Sequence, residues 1–170
     1  MTESASDHPH HEVEDISFAV VTVTSSRSLE TDTSGKAIVE CVEADGYEVT
    51  ARDLVGDHQQ AIASRVLALV ERDDVDAIIL TGGSGLSPED VTIEAIRPQV
   101  EKEIPGFGEL FRSKSFEDVG PHAILSRAFA GVTDSVPVFC LPGSEQAATF
   151  GTEELILPTI AHILGITRGH

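Results

Sequence analysis

The stretch Asp76-Ala77-Ile78-Ile79-Leu80-Thr81-Gly82-Gly83-Ser84-Gly85-Leu86-Ser87-Pro88-Glu89-Asp90-Val91-Thr92 decides the fold of this chain. Asp76 to Leu80 reads as a short buried strand, the glycines as a turn, and Val91 to Val100 as the opening of a helix. Glycines at 82, 83 and 85 leave backbone N–H groups uncovered, which is how a chain builds an anion cradle between a strand and a helix. The commoner glycine motifs do not fit. No lysine follows the loop as in a Walker A sequence, and Pro88 stands where a dinucleotide fingerprint needs its third glycine. Leu86 replaces the second glycine of a nucleophile elbow, and no histidine with an orienting acid is evident, so Ser84 is not read as an attacking hydroxyl.

Working outward, Ile16 to Thr24 is almost wholly apolar or β-branched, as a strand covered on both faces must be. Thr33 to Asp45 has helical spacing of Ile38, Val39, Cys41 and Val42, with Gly46 as its stop. Tyr47, Val49 and Ala51 alternate with polar residues as a second strand, and Asp57 to Arg72 is the clearest helix. Phe107 to Phe116 reads as a helix. Ala128 to Val132 and Val136 to Leu141 flank the turn Thr133-Asp134-Ser135, and from Ser144 on the chain is helical, with Pro158 set to kink or divide the last helix. Strands alternating with helices at this spacing predict a three-layer αβα sandwich with a mainly parallel sheet.

The chain is 170 residues long, one domain's worth, expected as a tail over residues 1–15 and a single folded unit over 16–170. The tail is polar and expected to be disordered. Its His8, His10 and His11 have nothing packed around them to fix a metal geometry. Eleven basic residues face twenty-nine acidic ones, a net charge of -18, and lysines are few (Lys36, Lys102, Lys114). That balance disfavours nucleic acid as a partner and suits a protein living in concentrated salt. No apolar run approaches the roughly 20 residues of a membrane span, and the acidic N-terminus does not read as a signal peptide, so a cytoplasmic protein is expected. Cys41 and Cys140 read as small core residues.

Polar, conformationally special residues follow four strands: Ser25 to Asp32, Asp57, Gly82 to Thr92, and Pro142 to Ser144. In an open parallel sheet these ends share one edge, where ligands bind. Asp57 and Asp90 are the carboxylates suited to charge neutralisation in phosphoryl or nucleotidyl transfer, with Mg²⁺ held between carboxylates and phosphate oxygens. Each also stands just before a helical run, where aspartate caps. The amides of Gly82, Gly83, Ser84 and Gly85 suit phosphate. Thr92 and Ser144 read either as caps or as ligand contacts, and Pro142-Gly143-Ser144 as a second turn before a helix. Ser25, Arg27 and Asp32 lie on the first strand's loop, and Arg27 reads as local positive charge for a polyanion or as a solvated arginine. Arg112, Lys114 and Arg127 read either as pocket cations or as ion-pair partners. Phe107 and Phe111 share a helical face and read as packing. His58, His122 and His162 have no carboxylate or cysteine at metal-ligand spacing in the sequence, so structural roles are expected.

Thr81-Gly82-Gly83-Ser84-Gly85, Asp90-Val91-Thr92, Ile104-Pro105-Gly106-Phe107-Gly108-Glu109, Leu125-Ser126-Arg127 and Leu141-Pro142-Gly143-Ser144, in this order, resemble the MoaB and MogA family of molybdopterin adenylyltransferases and the related gephyrin G domain. The resemblance spans about Phe18 to Leu164 and is nearest the MoaB-like branch, with the acidic composition pointing to a haloarchaeal source. It implies Mg²⁺-dependent transfer of AMP from ATP to the terminal phosphate of molybdopterin, with Asp57 and Asp90 as the functional pair, and a downstream protein that inserts the metal. A non-catalytic molybdopterin-binding or scaffold protein of the same fold is the alternative. The resemblance also implies a homo-oligomer, a hexamer or trimer, for which the apolar segment of Phe107, Leu110 and Phe111 offers an interface. From the charge alone, the melting temperature is expected to rise with KCl, because screening relieves repulsion among the excess carboxylates. A melting temperature flat from low to molar KCl would count against adaptation to salt.

Overall fold

A computed structural model describes residues 13–169. The histidines at 8, 10 and 11 therefore lie outside the described residues. Within the segment expected to be a tail, Val13 is half-buried against the core.

The elements run β1 (Ser17–Val23), α1 (Thr33–Ala44), β2 (Glu48–Val55), α2 (Gln59–Val70), β3 (Ala77–Thr81), α3 (Thr92–Ile96), β4 (Lys102–Glu103), α4 (Pro105–Val119), β5 (Phe129–Thr133), β6 (Val136–Leu141), α5 (Glu145–Gly151) and α6 (Ile160–Thr167). The sheet order is β2-β1-β3-β6-β5-β4. The four strands β2, β1, β3 and β6 are parallel, whereas β5 and β4 continue the sheet antiparallel. The three-layer α/β architecture is thus as the sequence predicts, with an antiparallel margin that it did not show. Strand β4 is two charged residues long, too short and too polar to leave a pattern.

Side-chain alternation explains why the central strands read as continuous apolar runs. Phe18, Val20, Ala77, Ile79, Phe139 and Leu141 face one layer, formed by α1, α4, α5 and α6. Ala19, Val21, Ile78, Leu80, Val138 and Cys140 face the other, formed by α2 and α3. Both faces are covered, so neither set is polar. An aromatic ladder ties the first layer together. Phe107 packs edge-on against Phe139 with centroids 5.3 Å apart, and Phe111 does the same to Phe150 at 5.3 Å. Such pairs add about 0.5–1.5 kcal/mol each beyond area burial.

Phe107 and Phe111 are therefore interior, which removes them from the outward apolar segment expected on α4. The large apolar side chains that do point outward there are Leu110, Phe116 and Val119, followed by Ile124 and Leu125 in the 3₁₀ turn after the helix. Pro158 divides the last helical stretch: a π turn over Thr152–Ile156 follows α5, and α6 begins only at Ile160.

The β5–β6 connection is a two-residue hairpin turn in which Asp134 (φ 47°) and Ser135 (φ 65°) both occupy the left-handed region. Twist-matched hairpins demand that geometry, and glycine meets it without a Cβ penalty. Ser135→Gly is expected to stabilise the fold by about 0.5–1 kcal/mol, raising the melting temperature by about 2–4 °C. A melting temperature at or below that of the parent would show that the turn carries no strain.

Candidate active site

The connection from β1 to β2 leaves on one side and the chain returns to β3 on the other, so the C-terminal ends of β1 and β3 mark the point where ligands enter this class of sheet. A cleft of about 270 Å³ lies there, lined among others by Ser25, Arg27, Asp57, Gly82, Gly83, Asp90 and Gly143. Four separate loops thus meet as the sequence predicts.

The glycines are needed for close approach. Gly82 (φ 96°) and Gly83 (φ 66°) are left-handed, and a Cβ on Gly82 would fall 2.5 Å from the carbonyl oxygen of Val23 at the end of β1. Thr92 holds the loop from below: its hydroxyl donates to the Gly82 carbonyl at 2.8 Å and its amide to the Gly83 carbonyl at 3.0 Å. Thr92 is fully buried, so it is a tie for the loop rather than a contact for ligand. The carbonyls of Gly83, Ser84 and Gly85 accept from Thr92 and Arg127, while Gly83, Ser84, Gly85 and Leu86 present four successive N–H groups that find no acceptor among the described residues. Such a run of donors is an anion cradle.

Neither carboxylate is a helix cap. The cap position of α2 is His58 and that of α3 is Val91. Asp57 accepts the Ser25 hydroxyl at 2.7 Å, and its own amide donates back to that hydroxyl oxygen at 3.1 Å. Asp90 accepts the Ser87 amide at 3.1 Å. Its carboxylate lies over Gly85, where a Cβ would come within 2.6 Å of the oxygen. Both side chains are half-buried at the cleft, and each keeps one carboxylate oxygen outside the bonds just described. Among the described residues no group of three or more His, Cys, Asp or Glu side chains could hold a metal. Two carboxylates beside an anion cradle are the donor set that Mg²⁺ uses when phosphate oxygens and water complete its shell.

The chain matches the family described as "Probable molybdopterin binding domain" over residues 19–162. It belongs to this family. Molybdenum cofactor biosynthesis protein B of Bacillus subtilis is 41% identical over 162 residues, covering 95% of each chain. A crystal structure of a molybdenum cofactor biosynthesis protein B superposes with a TM-score of 0.90 at 39% identity, covering 92% of this chain and 98% of the other. The tungsten cofactor synthesizing protein MoaB from Pyrococcus furiosus superposes at 0.80 with 35% identity over 92% and 99% of the two chains.

On this molybdopterin-binding fold the remaining sequence candidates divide. Ser144 caps α5, accepting the Ala147 amide at 3.2 Å. Pro142 and Ser144 line a neighbouring apolar groove of about 220 Å³ with Phe111, Val119, Ala147 and Phe150. Arg27 is exposed, and its guanidinium has no partner among the described residues. Lys114 pairs with Glu154 at the surface, and Arg112 donates to the Ser126 and Ala128 carbonyls, tying α4 to the start of β5. Burial pushes the Cys41 thiol up to about 11 and the Cys140 thiol up to about 12. Thr22, Thr24 and Ser34 also border the cleft and went unnoticed in the sequence, although Thr24 followed by two serines at a strand end is a turn signal.

Asp32 was expected to face ligand and does not. It is 1% exposed and accepts the Thr22 hydroxyl at 2.7 Å, the Gly35 amide at 3.0 Å as N-cap of α1, and Arg52 at 3.3 Å. Burial pushes its carboxyl upward, but the hydrogen bonds from Thr22, Gly35 and Arg52 together outweigh it and hold the group below its ordinary value of 3.8. A depressed folded pKa stabilises the fold fully above the unfolded value, and that contribution is lost as pH falls through the folded one. Asp32→Asn is therefore expected to cost about 2–3 kcal/mol at pH 7, less than a fully buried pair because Arg52 is partly exposed. In denaturant titrations the gap from the parent should narrow below about pH 4. An equal gap at pH 7 and pH 3 would show that the charge is not what matters.

Proposed function

We propose that this protein acts in molybdenum cofactor biosynthesis as a molybdopterin adenylyltransferase, moving AMP from ATP to the terminal phosphate of molybdopterin. The observation that supports it is the meeting, in one cleft, of Asp57 and Asp90 with Gly82 and Gly83, where a run of loop amides without acceptors among the described residues begins. In the reaction a phosphate oxygen of molybdopterin attacks the α-phosphorus of ATP, and the bond to pyrophosphate breaks. Two polyanions must be brought together by a chain of net charge -18, so local donors at the cleft decide whether they bind at all. The amide run that starts at Gly83 and the guanidinium of Arg27, which has no partner among the described residues, supply that local positive potential. Ser25 holds Asp57, and the Ser87 amide holds Asp90, so both carboxylates are oriented before substrate arrives. Mg²⁺, held by Asp57 and Asp90, would neutralise charge on the phosphates.

The product then serves a metal-insertion protein, and the work takes place in the cytoplasm. The outward side chains of Leu110, Phe116, Val119, Ile124 and Leu125 support a homo-oligomer, a hexamer or trimer.

Asp90→Asn tests the proposal. Asparagine can still accept the Ser87 amide, so the melting temperature should barely move and molybdopterin should still bind. Production of adenylylated molybdopterin from ATP and Mg²⁺ should fall by about 100-fold or more, as the loss of a charge acting on the transition state requires. Asp57→Asn should act in the same direction, less severely. Parental turnover in the Asp90 variant would leave a non-catalytic molybdopterin-binding or scaffold protein as the better account.

A further inference from the structure

Arg127 lies outside the cleft, in the segment just before β5, and donates across more than 35 residues of sequence to the back of the glycine loop. Its Nε donates to the carbonyls of Gly85 at 3.0 Å and Ser84 at 3.3 Å. Its Nη2 donates to the carbonyls of Gly85 at 2.7 Å and Asp90 at 3.3 Å. Glu94, on α3, accepts from the outer edge of the same guanidinium through both carboxylate oxygens. The planar fork of arginine is thus divided between main-chain oxygens on one side and a carboxylate on the other, a geometry that lysine cannot reproduce.

The consequence lies on the opposite side of each peptide. A planar trans peptide points its N–H away from its C=O. Holding the carbonyls of Ser84, Gly85 and Asp90 toward Arg127 therefore turns the N–H groups of Gly85, Leu86 and Val91 away from it. Two of these, Gly85 and Leu86, belong to the run of amides without acceptors. The third bonded carbonyl is that of Asp90 itself, so the same guanidinium also fixes the main chain that carries one of the two carboxylates.

We propose that Arg127, oriented by Glu94, is a positioning residue that sets the glycine loop as an anion cradle and aligns Asp90. The effect on turnover rests on the adenylyltransferase reading, whereas the effect on the loop does not.

The test compares Arg127→Met and Arg127→Lys with the parent in three measurements. Hydrogen exchange of the Ser87, Asp90 and Thr92 amides, which are bonded across the loop, should quicken at least tenfold, and inorganic pyrophosphate, expected to shift the Gly83 to Leu86 amides in the parent's NMR spectrum, should bind at least tenfold more weakly. The kcat/KM for ATP should fall about 100-fold, as expected when a reacting group is misplaced by about an ångström. Added guanidinium should restore part of the activity of Arg127→Ala. If Arg127→Met does not fold, Arg127→Lys decides, because it keeps the charge near Glu94 but cannot span three carbonyls. Folded variants with parental loop exchange and parental pyrophosphate binding would overturn the proposal. If the parent itself makes no adenylylated product, the adenylyltransferase reading fails, while the exchange and pyrophosphate measurements still decide the role of Arg127.

Discussion

The architecture of the site depends on how closely three strand ends pack around Gly82. A Cβ there would strike the Val23 carbonyl of β1, and a Cβ on Gly143, after β6, would come within 3.2 Å of the Gly82 Cα. Thr81 adds a hydrogen bond to the Pro142 carbonyl at 2.9 Å. The loops after β1, β3 and β6 are therefore in van der Waals contact through their main chains, with the Thr81 hydroxyl tying two of them together. Backbone groups displayed by such a junction cannot drift far, which is the condition for amides to act as preorganised charge.

Close packing at a sheet edge would bury backbone polar groups without partners, and a set of small hydroxyls prevents it. Thr22, Thr81 and Thr92 are each nearly or wholly buried, and each donates to an oxygen at this junction: the Asp32 carboxylate, the Pro142 carbonyl and the Gly82 carbonyl. Asp32 then gathers the start of α1 and Arg52 of β2 into the same scaffold. A buried charge is tolerable because every approach to it is a donor. The layer beneath the cleft is thus polar and hydrogen-bonded apart from the buried Nε of Arg52, and Asp57 and Asp90 sit one step outward, half-buried at the cleft.

The antiparallel margin has a role beyond extending the sheet. Arg112 joins α4 to the lead-in of β5, and the aromatic ladder from Phe139 through Phe107 fixes α4 against β6. That segment carries Arg127 to the back of the glycine loop. The antiparallel margin thereby reaches the carbonyls of Ser84, Gly85 and Asp90. Its outer surface keeps large apolar side chains exposed, among them Ile124 at 80%.

The sequence by itself determined the layers and the meeting of loops. Central strands with both faces buried must be apolar throughout, and helical spacing placed the covering helices, so the order of elements and the gathering of Ser25, Asp57, Gly82 and Asp90 at one edge were legible. The two-residue β4 was not, because so short and polar an element leaves no pattern, and Phe107 and Phe111 read as packing without the sequence deciding between core and interface, whereas the division at Pro158 was legible from the proline itself. What only the tertiary structure decided was the partner of each polar group. Asp32 looked like a loop carboxylate and is a buried anchor, since Arg52 and Thr22 reach it from neighbouring strands. Asp57 and Asp90 looked like helix caps, yet their helices begin one or two residues later. Arg127 stood out as a cation within a family motif, but the groups it holds did not, because its acceptors lie more than 30 residues away. Periodicity records which side of an element is apolar, whereas hydrogen-bond partners across a fold are set by distances that no local pattern encodes.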